Sequence, residues 1–162
     1  MFAGPASLGR KAIAMTQLGK QPGAMMPAAT AVAGHFLADP NCRHHVFIAE
    51  GTAADAILQL FQSQGCEING RVIVVYAETR PDSAAYVSAL SELPIEVLHA
   101  LPSIVAAVSR VGSILACAPM NSRVYVAGCE RLVSLMLQLA VACGRDAQTV
   151  MVWRQAAGAG SA

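Results

Sequence analysis

The sequence predicts an α/β fold in which a parallel sheet is covered by helices on both faces. From residue 45 onward, short apolar runs rich in β-branched residues alternate with longer segments of helical periodicity. The run RVIVVYAE at 71–78 is almost wholly apolar, as expected for a strand buried on both faces. Strands that alternate with helices are typical of βαβ units. We therefore expect a Rossmann-like three-layer sandwich.

Each predicted strand is a short apolar run between polar or turn-forming residues. HVFIA begins at His45, IEVLHAL alternates in the manner of a strand, and RVYVAG ends at Gly128. The predicted strands are 45–49, 71–78, 95–101, 123–128 and 148–154.

The predicted helices are bounded by recognisable start and stop residues. Thr52 is expected to cap the first helix and Gly65 to end it. Asp82 starts the second helix and Pro94 stops it, and the third is expected to end or bend near Gly112. The predicted helices are 52–64, 82–93, 103–116 and 129–144.

Residues 1–44 form a poorly regular N-terminal segment rich in Ala, Gly, Pro and Met. A short helix capped by Ser7 is predicted within 2–18, and the remainder to residue 43 is predicted to be loop or loosely docked chain. GPAS at 4–7 fits either a helix cap or a phosphate contact. The Rossmann-like nucleotide-binding-type domain is predicted over 45–155, followed by a flexible tail at 156–162.

The composition excludes some functions and favours a covered surface. The chain is 55% hydrophobic and 13% charged, against about 25% charged residues in ordinary domains. A shortage of polar residues favours a homo-oligomer or another partner covering one face. Charged and polar residues interrupt every apolar run, so no membrane span is predicted, and a net charge of +1 gives no footprint for nucleic acid.

The cysteines favour reduced thiols in a cytoplasmic protein. Their number is odd, and they have neither C-x-x-C nor zinc-site spacing. They are Cys42, Cys66, Cys117, Cys129 and Cys143.

The turn AEGTAAD at 49–55 is the first candidate binding turn. Gly51 and Thr52 lie between a predicted strand and a helix N-terminus, where backbone N–H groups favour a phosphate. A plain capped turn is the alternative, and the negative charge of Glu50 disfavours a bare phosphate there.

The second candidate is YAETRPDSAAY at 76–86. Arg80 can bind a ribose 2′-phosphate through two hydrogen bonds, and Glu78 can instead accept from ribose hydroxyls. A solvated loop in which Asp82 only caps the next helix is the alternative.

The third candidate is VYVAGCERLV at 124–133. Gly128 permits a ligand to approach the backbone closely. Cys129 is the candidate catalytic residue, because a thiol at a helix N-terminus is expected to be more reactive. A packing role is an equal alternative. His44 and His45 have no third ligand at metal spacing, and His99 is expected to be packed or solvated in its strand, so no metal site is predicted.

These three turns, in this order, resemble the NAD(P)-binding half of ferredoxin-reductase-like flavoproteins, and most of all the siderophore-interacting proteins. AEGTAADAI resembles the family's first strand-turn-helix, and YAETRPDSAAY its adenosine-ribose segment. VYVAGCERLV resembles the late strand beside the nicotinamide, with Gly128-Cys129-Glu130 in place of the wider group's Cys-Gly-Pro. Trp153 and Arg154 match the family's C-terminal ending.

The resemblance implies an NAD(P)H-binding component of a flavin-dependent electron-transfer or ferric-siderophore reductase system. NADPH or NADH is the implied cofactor, and FAD is expected to be shared with a separate flavin-binding partner, since no counterpart of the flavin-binding barrel is present. The implied cofactor-binding residues are Gly51, Thr52, Glu78, Arg80, Gly128, Glu130 and Trp153. The alternative is a non-catalytic interaction module that keeps the fold and has lost its cofactor.

Overall fold

Six strands of the computed structural model, which describes residues 30–31, 36–65 and 67–154, form one parallel sheet. Counted from β2, the spatial order is 3-2-1-4-5, the order of a doubly wound dinucleotide-binding sheet, with β1 added outside β6. The predicted α/β fold is confirmed. The strands are β1 (Thr30–Ala31), β2 (His44–Glu50), β3 (Arg71–Ala77), β4 (Val97–Leu101), β5 (Arg123–Gly128) and β6 (Val150–Arg154).

Helices cover both faces of this sheet. Because successive strand side chains point to opposite faces, β2 directs Val46 and Ile48 toward α3 and α4, and Phe47 and Ala49 toward α1 and α2. Two apolar clusters result, one on each face, and the central strands are buried on both. The helices are α1 (Asp55–Gln64), α2 (Ser83–Ser91), α3 (Ile104–Cys117) and α4 (Glu130–Ala142).

The start of the first helix differs from the prediction. Thr52 does not cap α1 but lies inside a 3₁₀ turn, Gly51–Ala54, that precedes it. The cause is Gly51, whose φ of +49° turns the chain at once after β2. The helix proper therefore begins three residues later than expected, at Asp55.

The predicted end of the third helix near Gly112 is wrong, while a bend there stays a prediction. Helix α3 continues to Cys117. Gly112 lies where α3 contacts α4, and a Cβ there would meet Leu139 Cδ1 at 3.5 Å. Packing against α4 outweighs the weak helix propensity of one glycine.

Part of the N-terminal segment packs against the sheet. β1 pairs with β6, Thr30 opposite Met151. Phe36 is 1% exposed, and its ring centre lies 5.7 Å from that of Tyr125. The predicted helix within 2–18, GPAS and the tail from residue 155 lie outside the described residues.

A buried polar network closes the amino end of the central strands. His45 Nε2 lies 3.2 Å from the carbonyl oxygen of Cys42, and His45 Nδ1 lies 3.2 Å from the hydroxyl of Tyr125. A carbonyl only accepts, so Nε2 carries the proton and Nδ1 accepts from Tyr125. The same hydroxyl accepts from the backbone N–H of Asp39, and burial raises the pKa of Tyr125 to about 12.

We expect this network to make stability depend on pH. Burial lowers the pKa of His45 below its ordinary value of 6.5. Below pH 6.5 this histidine is therefore protonated more readily in the unfolded chain than in the folded chain. The contribution of neutral His45 to the free energy of unfolding is therefore complete above pH 6.5 and is lost as the pH falls below it. Urea denaturation between pH 5 and 8 measures this.

The matched variants are His45→Gln and His99→Gln, because burial also lowers the pKa of His99. His45→Gln is expected to flatten the pH dependence more than His99→Gln, since His45 is buried and His99 is only partly so. Equal slopes for wild type and His45→Gln would contradict the prediction.

Candidate functional site

The carboxyl ends of β2 and β5 form the switch point of this sheet. From β2 the chain proceeds outward to β3 and β4, and β5 returns to pair with the other side of β2. Ligands of open α/β sheets bind in the crevice at such a switch point. The three predicted turns follow β2, β3 and β5, so a single edge of the sheet carries all of them.

Glu50 joins the two strands across the switch point. One of its carboxylate oxygens, Oε1, accepts a hydrogen bond from the backbone N–H of Cys129 at 3.2 Å. Cys129 is the N-cap residue of α4 and makes no side-chain cap bond itself. Glu50 therefore places a negative charge at the positive end of α4, where it is stabilising.

Gly128 makes this contact sterically feasible. A Cβ on Gly128 would lie 2.9 Å from Glu50 Cγ and 2.8 Å from Leu132 Cδ2. The approach of a ligand to Gly128 stays a prediction, since its close neighbours in the structure are side chains of the same molecule.

The other carboxylate oxygen of Glu50, Oε2, is buried and has no hydrogen-bond partner among the described residues. Sequence reasoning noted Glu50 only as a charge that disfavours phosphate and missed it as a site residue. Its place as the last residue of β2, directly before Gly51, was the available signal.

Arg80 lies over the first turn. A Cβ on Gly51 would meet Arg80 Cδ at 3.0 Å and Thr79 Oγ1 at 3.3 Å. The guanidinium beyond this stem is about half exposed, and its Nε pairs with Asp82 Oδ1 at 3.0 Å. The structure thus brings together Gly51 and Arg80, which are predicted from different turns.

Buried hydroxyls hold the Arg80 loop in place. Ser83 Oγ lies 3.3 Å from the Tyr76 hydroxyl, which donates to it, and also accepts from the backbone N–H of Arg80 at 3.3 Å. Burial raises the pKa of Tyr76, which keeps the hydroxyl protonated as a donor. The loop after β3 is therefore fixed by the core beneath it.

The remaining residues of the first two turns lie at the same edge. Glu78 is exposed directly after β3, and its backbone N–H donates to the carbonyl of Leu101 at 2.8 Å. Thr52 is half-buried inside the 3₁₀ turn.

The third turn extends to β6. Cys129 carries an exposed free thiol. Glu130 pairs with Arg154 Nε at 3.1 Å on the surface, because the register places Arg154 opposite Gly128. Trp153 is partly buried and packs with the cluster on the α1 and α2 face. These residues lie at the switch-point edge, beside the Glu50 contact.

The described part of the chain shows neither a metal site nor a membrane-spanning helix. No group of three or more His, Cys, Asp or Glu residues there is arranged to hold a metal ion. None of the helices in that part is long and apolar enough to cross a bilayer.

We expect removal of the Glu50 cap to destabilise the fold. Glu50→Ala leaves the Cys129 N–H without its acceptor and is expected to lower the free energy of unfolding by about 1 kcal/mol. Glu50→Gln keeps an acceptor oxygen and is expected to lose less. Urea denaturation measures both, with Glu78→Ala as the control at an exposed site of the same edge, where about 0.5 kcal/mol or less is expected. Equal losses for Glu50→Ala and Glu78→Ala would contradict the cap.

Comparisons with known proteins give a family and a fold for this chain. The family model described as "Dimethylamine monooxygenase subunit DmmA-like, N-terminal domain" matches residues 29–150, more than half of the chain. No curated protein matches the chain significantly.

A solved structure shares the fold. It is a flavohemoglobin from Malassezia yamatoensis with bound FAD and heme, with a TM-score of 0.53 and 15% sequence identity. The match covers 72% of this chain and 32% of the flavohemoglobin chain. The Rossmann-like α/β fold predicted from the sequence is thereby confirmed.

Proposed function

We propose a function from the premise that the chain belongs to the family of dimethylamine monooxygenase subunit DmmA-like N-terminal domains. The domain binds NADH or NADPH and forms the nicotinamide-binding part of a flavin-dependent electron-transfer system. The flavin is bound by a separate partner, and the two meet at the switch-point edge.

The observation that carries this proposal is the placement of Arg80 over Gly51. The stem of Arg80 packs over the buried Gly51 at the end of β2, and its half-exposed guanidinium extends beyond this turn. A cation held at the end of a strand suits the phosphates of a dinucleotide. Glu78, two residues before Arg80, is exposed in the same loop, and a carboxylate there suits ribose hydroxyls.

Glu50 suits the other end of the nucleotide. Its Oε2 is a buried acceptor without a partner among the described residues, and its charge disfavours phosphate at the N-terminus of α4. A group that donates hydrogen bonds, such as the nicotinamide carboxamide, matches this position. In this arrangement Cys129 and Glu130 border the reactive end of the nucleotide, and Gly128 and Trp153 form the strand ends beneath it.

The cofactors supply the redox chemistry, namely hydride donation by the nicotinamide to a flavin, and this requires the two rings to be stacked in one site. The residues of this chain bind and orient the nucleotide. The family description names a subunit, which supports a partner that holds the flavin. FAD is the flavin we propose, since the flavohemoglobin of the same fold binds it.

An oxygenase subunit is the electron acceptor that the family description favours. The ferric-siderophore acceptor predicted from the turns remains a narrower proposal. Mixing the protein with each class of acceptor and a flavin-binding partner, and following NADPH oxidation at 340 nm, distinguishes the two.

Calorimetric titration with NADPH and NADH tests the nucleotide site. Binding of either in the micromolar to low millimolar range is expected, and the ratio of the two affinities reports whether Arg80 meets a 2′-phosphate. Absence of heat at millimolar concentrations of both nucleotides would contradict the proposal.

The second candidate is a non-catalytic module that forms a homo-oligomer or a complex. It is favoured by the acidic partners already present at this edge, Asp82 on Arg80 and Glu130 on Arg154. Light scattering after size exclusion tests it. A stable dimer that binds neither nucleotide would support this candidate, and a monomer that binds one of them would contradict it.

A further inference from the structure

A cavity lies at the opposite edge of the sheet from the switch point. It has a volume of about 300 Å³ and opens at the amino ends of β2, β3 and β4. The edge is left open because α3 ends at Cys117 and the chain departs through Ala118 and Pro119. None of the residues of the proposed nucleotide site contributes to it.

The floor of this cavity is apolar. Val46, Ile73 and Val97 lie side by side in register on three neighbouring strands. Ile114 of α3 adds a fourth apolar side chain to the lining of the cavity. Such a surface favours the body of an apolar molecule over a bare inorganic anion.

The rim of the cavity carries hydrogen-bond donors. His44 and Arg71 are paired neighbours in register, and His99 lies on the next strand. Arg71 uses its Nε to pair with Glu96 at 2.8 Å, and the pair is about half exposed. A guanidinium has five N–H donors, so the same group can also bind a ligand carboxylate. None of the described residues that line the cavity is acidic.

We propose that this cavity binds a small monocarboxylate with an apolar body. The apolar group rests on Val46, Ile73 and Val97, and the carboxylate pairs with Arg71 at the rim. Arg matches a carboxylate through two parallel hydrogen bonds. The small volume, near the lower limit for ligand pockets, restricts the ligand to about the size of one aromatic ring with a short side chain.

The reactivity of Cys117 can report whether the cavity is occupied. Its exposed thiol lines the cavity, while Cys129 is exposed at the other edge of the sheet. We would follow alkylation of both thiols by iodoacetamide in the full chain, with peptide-resolved mass spectrometry. Phenylacetate is the probe, and phenylacetamide, which has the same shape without the charge, is the matched control.

Phenylacetate is expected to slow alkylation of Cys117 and leave that of Cys129 unchanged, with a much weaker effect from phenylacetamide. Arg71→Gln is expected to weaken this protection about tenfold in ligand concentration, the effect of losing one charged hydrogen bond. Glu96→Gln keeps Arg71 and frees its Nε, so protection at the same or lower phenylacetate concentration is expected.

Three results would overturn the site. They are no protection of Cys117, equal protection by the amide, and weaker protection in Glu96→Gln. The last keeps the proposal testable if Arg71→Gln does not fold. Nucleotide binding at the switch point plays no part in the assay, so its failure and the failure of the proposed function are separate results.

Discussion

Replacing Gly128 by alanine is expected to lower the free energy of unfolding by about 2 kcal/mol, within the range for adding a methyl group to a filled site. The new Cβ would lie 2.8 Å from Leu132 Cδ2 and 2.9 Å from Glu50 Cγ. Leu132 is fully buried, and Glu50 is bound to Cys129. Neither side chain can move without losing packing or a hydrogen bond. Urea denaturation at pH 7 measures the loss.

Gly112→Ala is the matched control, and it is expected to raise the free energy of unfolding. Gly112 lies inside α3, and its new Cβ would be 3.5 Å from Leu139 Cδ1, an ordinary contact. Alanine is the better helix former by about 1 kcal/mol, so stability is expected to rise. If both variants were destabilised alike, the argument from space at Gly128 would be wrong.

A double-mutant cycle isolates the contact between Gly128 and Glu50. In the Glu50→Ala background, Cγ and Cδ are absent, and the close contact that remains for Gly128→Ala is with Leu132 Cδ2. We expect its cost to decrease by about 1 kcal/mol, within the range measured for residues in contact. Additive losses would show that Glu50 does not restrict this position.

The sequence predicted the sheet well because its strands are buried on both faces. A continuous apolar run such as 71–78 leaves little alternative to a central parallel strand, and β5 has the bounds expected for it, Arg123–Gly128. The two-residue strand β1 was not predicted, because Thr30 and Ala31 carry no periodicity. Its pairing with β6 is a tertiary contact.

The position of the candidate site was predictable for a topological reason. Parallel strands place all their carboxyl ends at one edge, so the turns after β2, β3 and β5 had to be neighbours. The contacts inside the site were not predictable. Arg80 lies over Gly51 only because Gly51 takes a positive φ, and Glu50 meets Cys129 across a strand pair 79 residues apart in sequence.

These contacts divide the edge into two electrostatic halves. On the β3 side, Arg80 presents a half-exposed positive charge above the turn that follows β2. At the switch point, Glu50 already occupies the helix N-terminus that an anion would use. A dinucleotide bound here would therefore place its phosphates toward Arg80. The affinity for the dinucleotide is then expected to depend mainly on the charge of Arg80.

Arg80→Gln is accordingly expected to raise the dissociation constant of NADPH or NADH by about tenfold or more, since a hydrogen bond to a charged group contributes about 1.5–3 kcal/mol. Calorimetric titration at low ionic strength measures the effect, and added salt is expected to reduce the difference because the group is exposed to solvent. Stability is expected to change by about 0.5 kcal/mol or less, so weaker binding would not reflect unfolding.

Asp82→Asn is the companion variant, because it removes the charge that pairs with Arg80 and leaves the guanidinium in place. The exposed pair is worth about 0–1 kcal/mol, so nucleotide affinity is expected to stay equal or rise up to about fivefold. Opposite effects of the two variants would follow from a phosphate held by Arg80. If wild type binds nucleotide and Arg80→Gln binds it equally well, the phosphates lie elsewhere, and Gly51 with its 3₁₀ turn would no longer be the turn that contacts them.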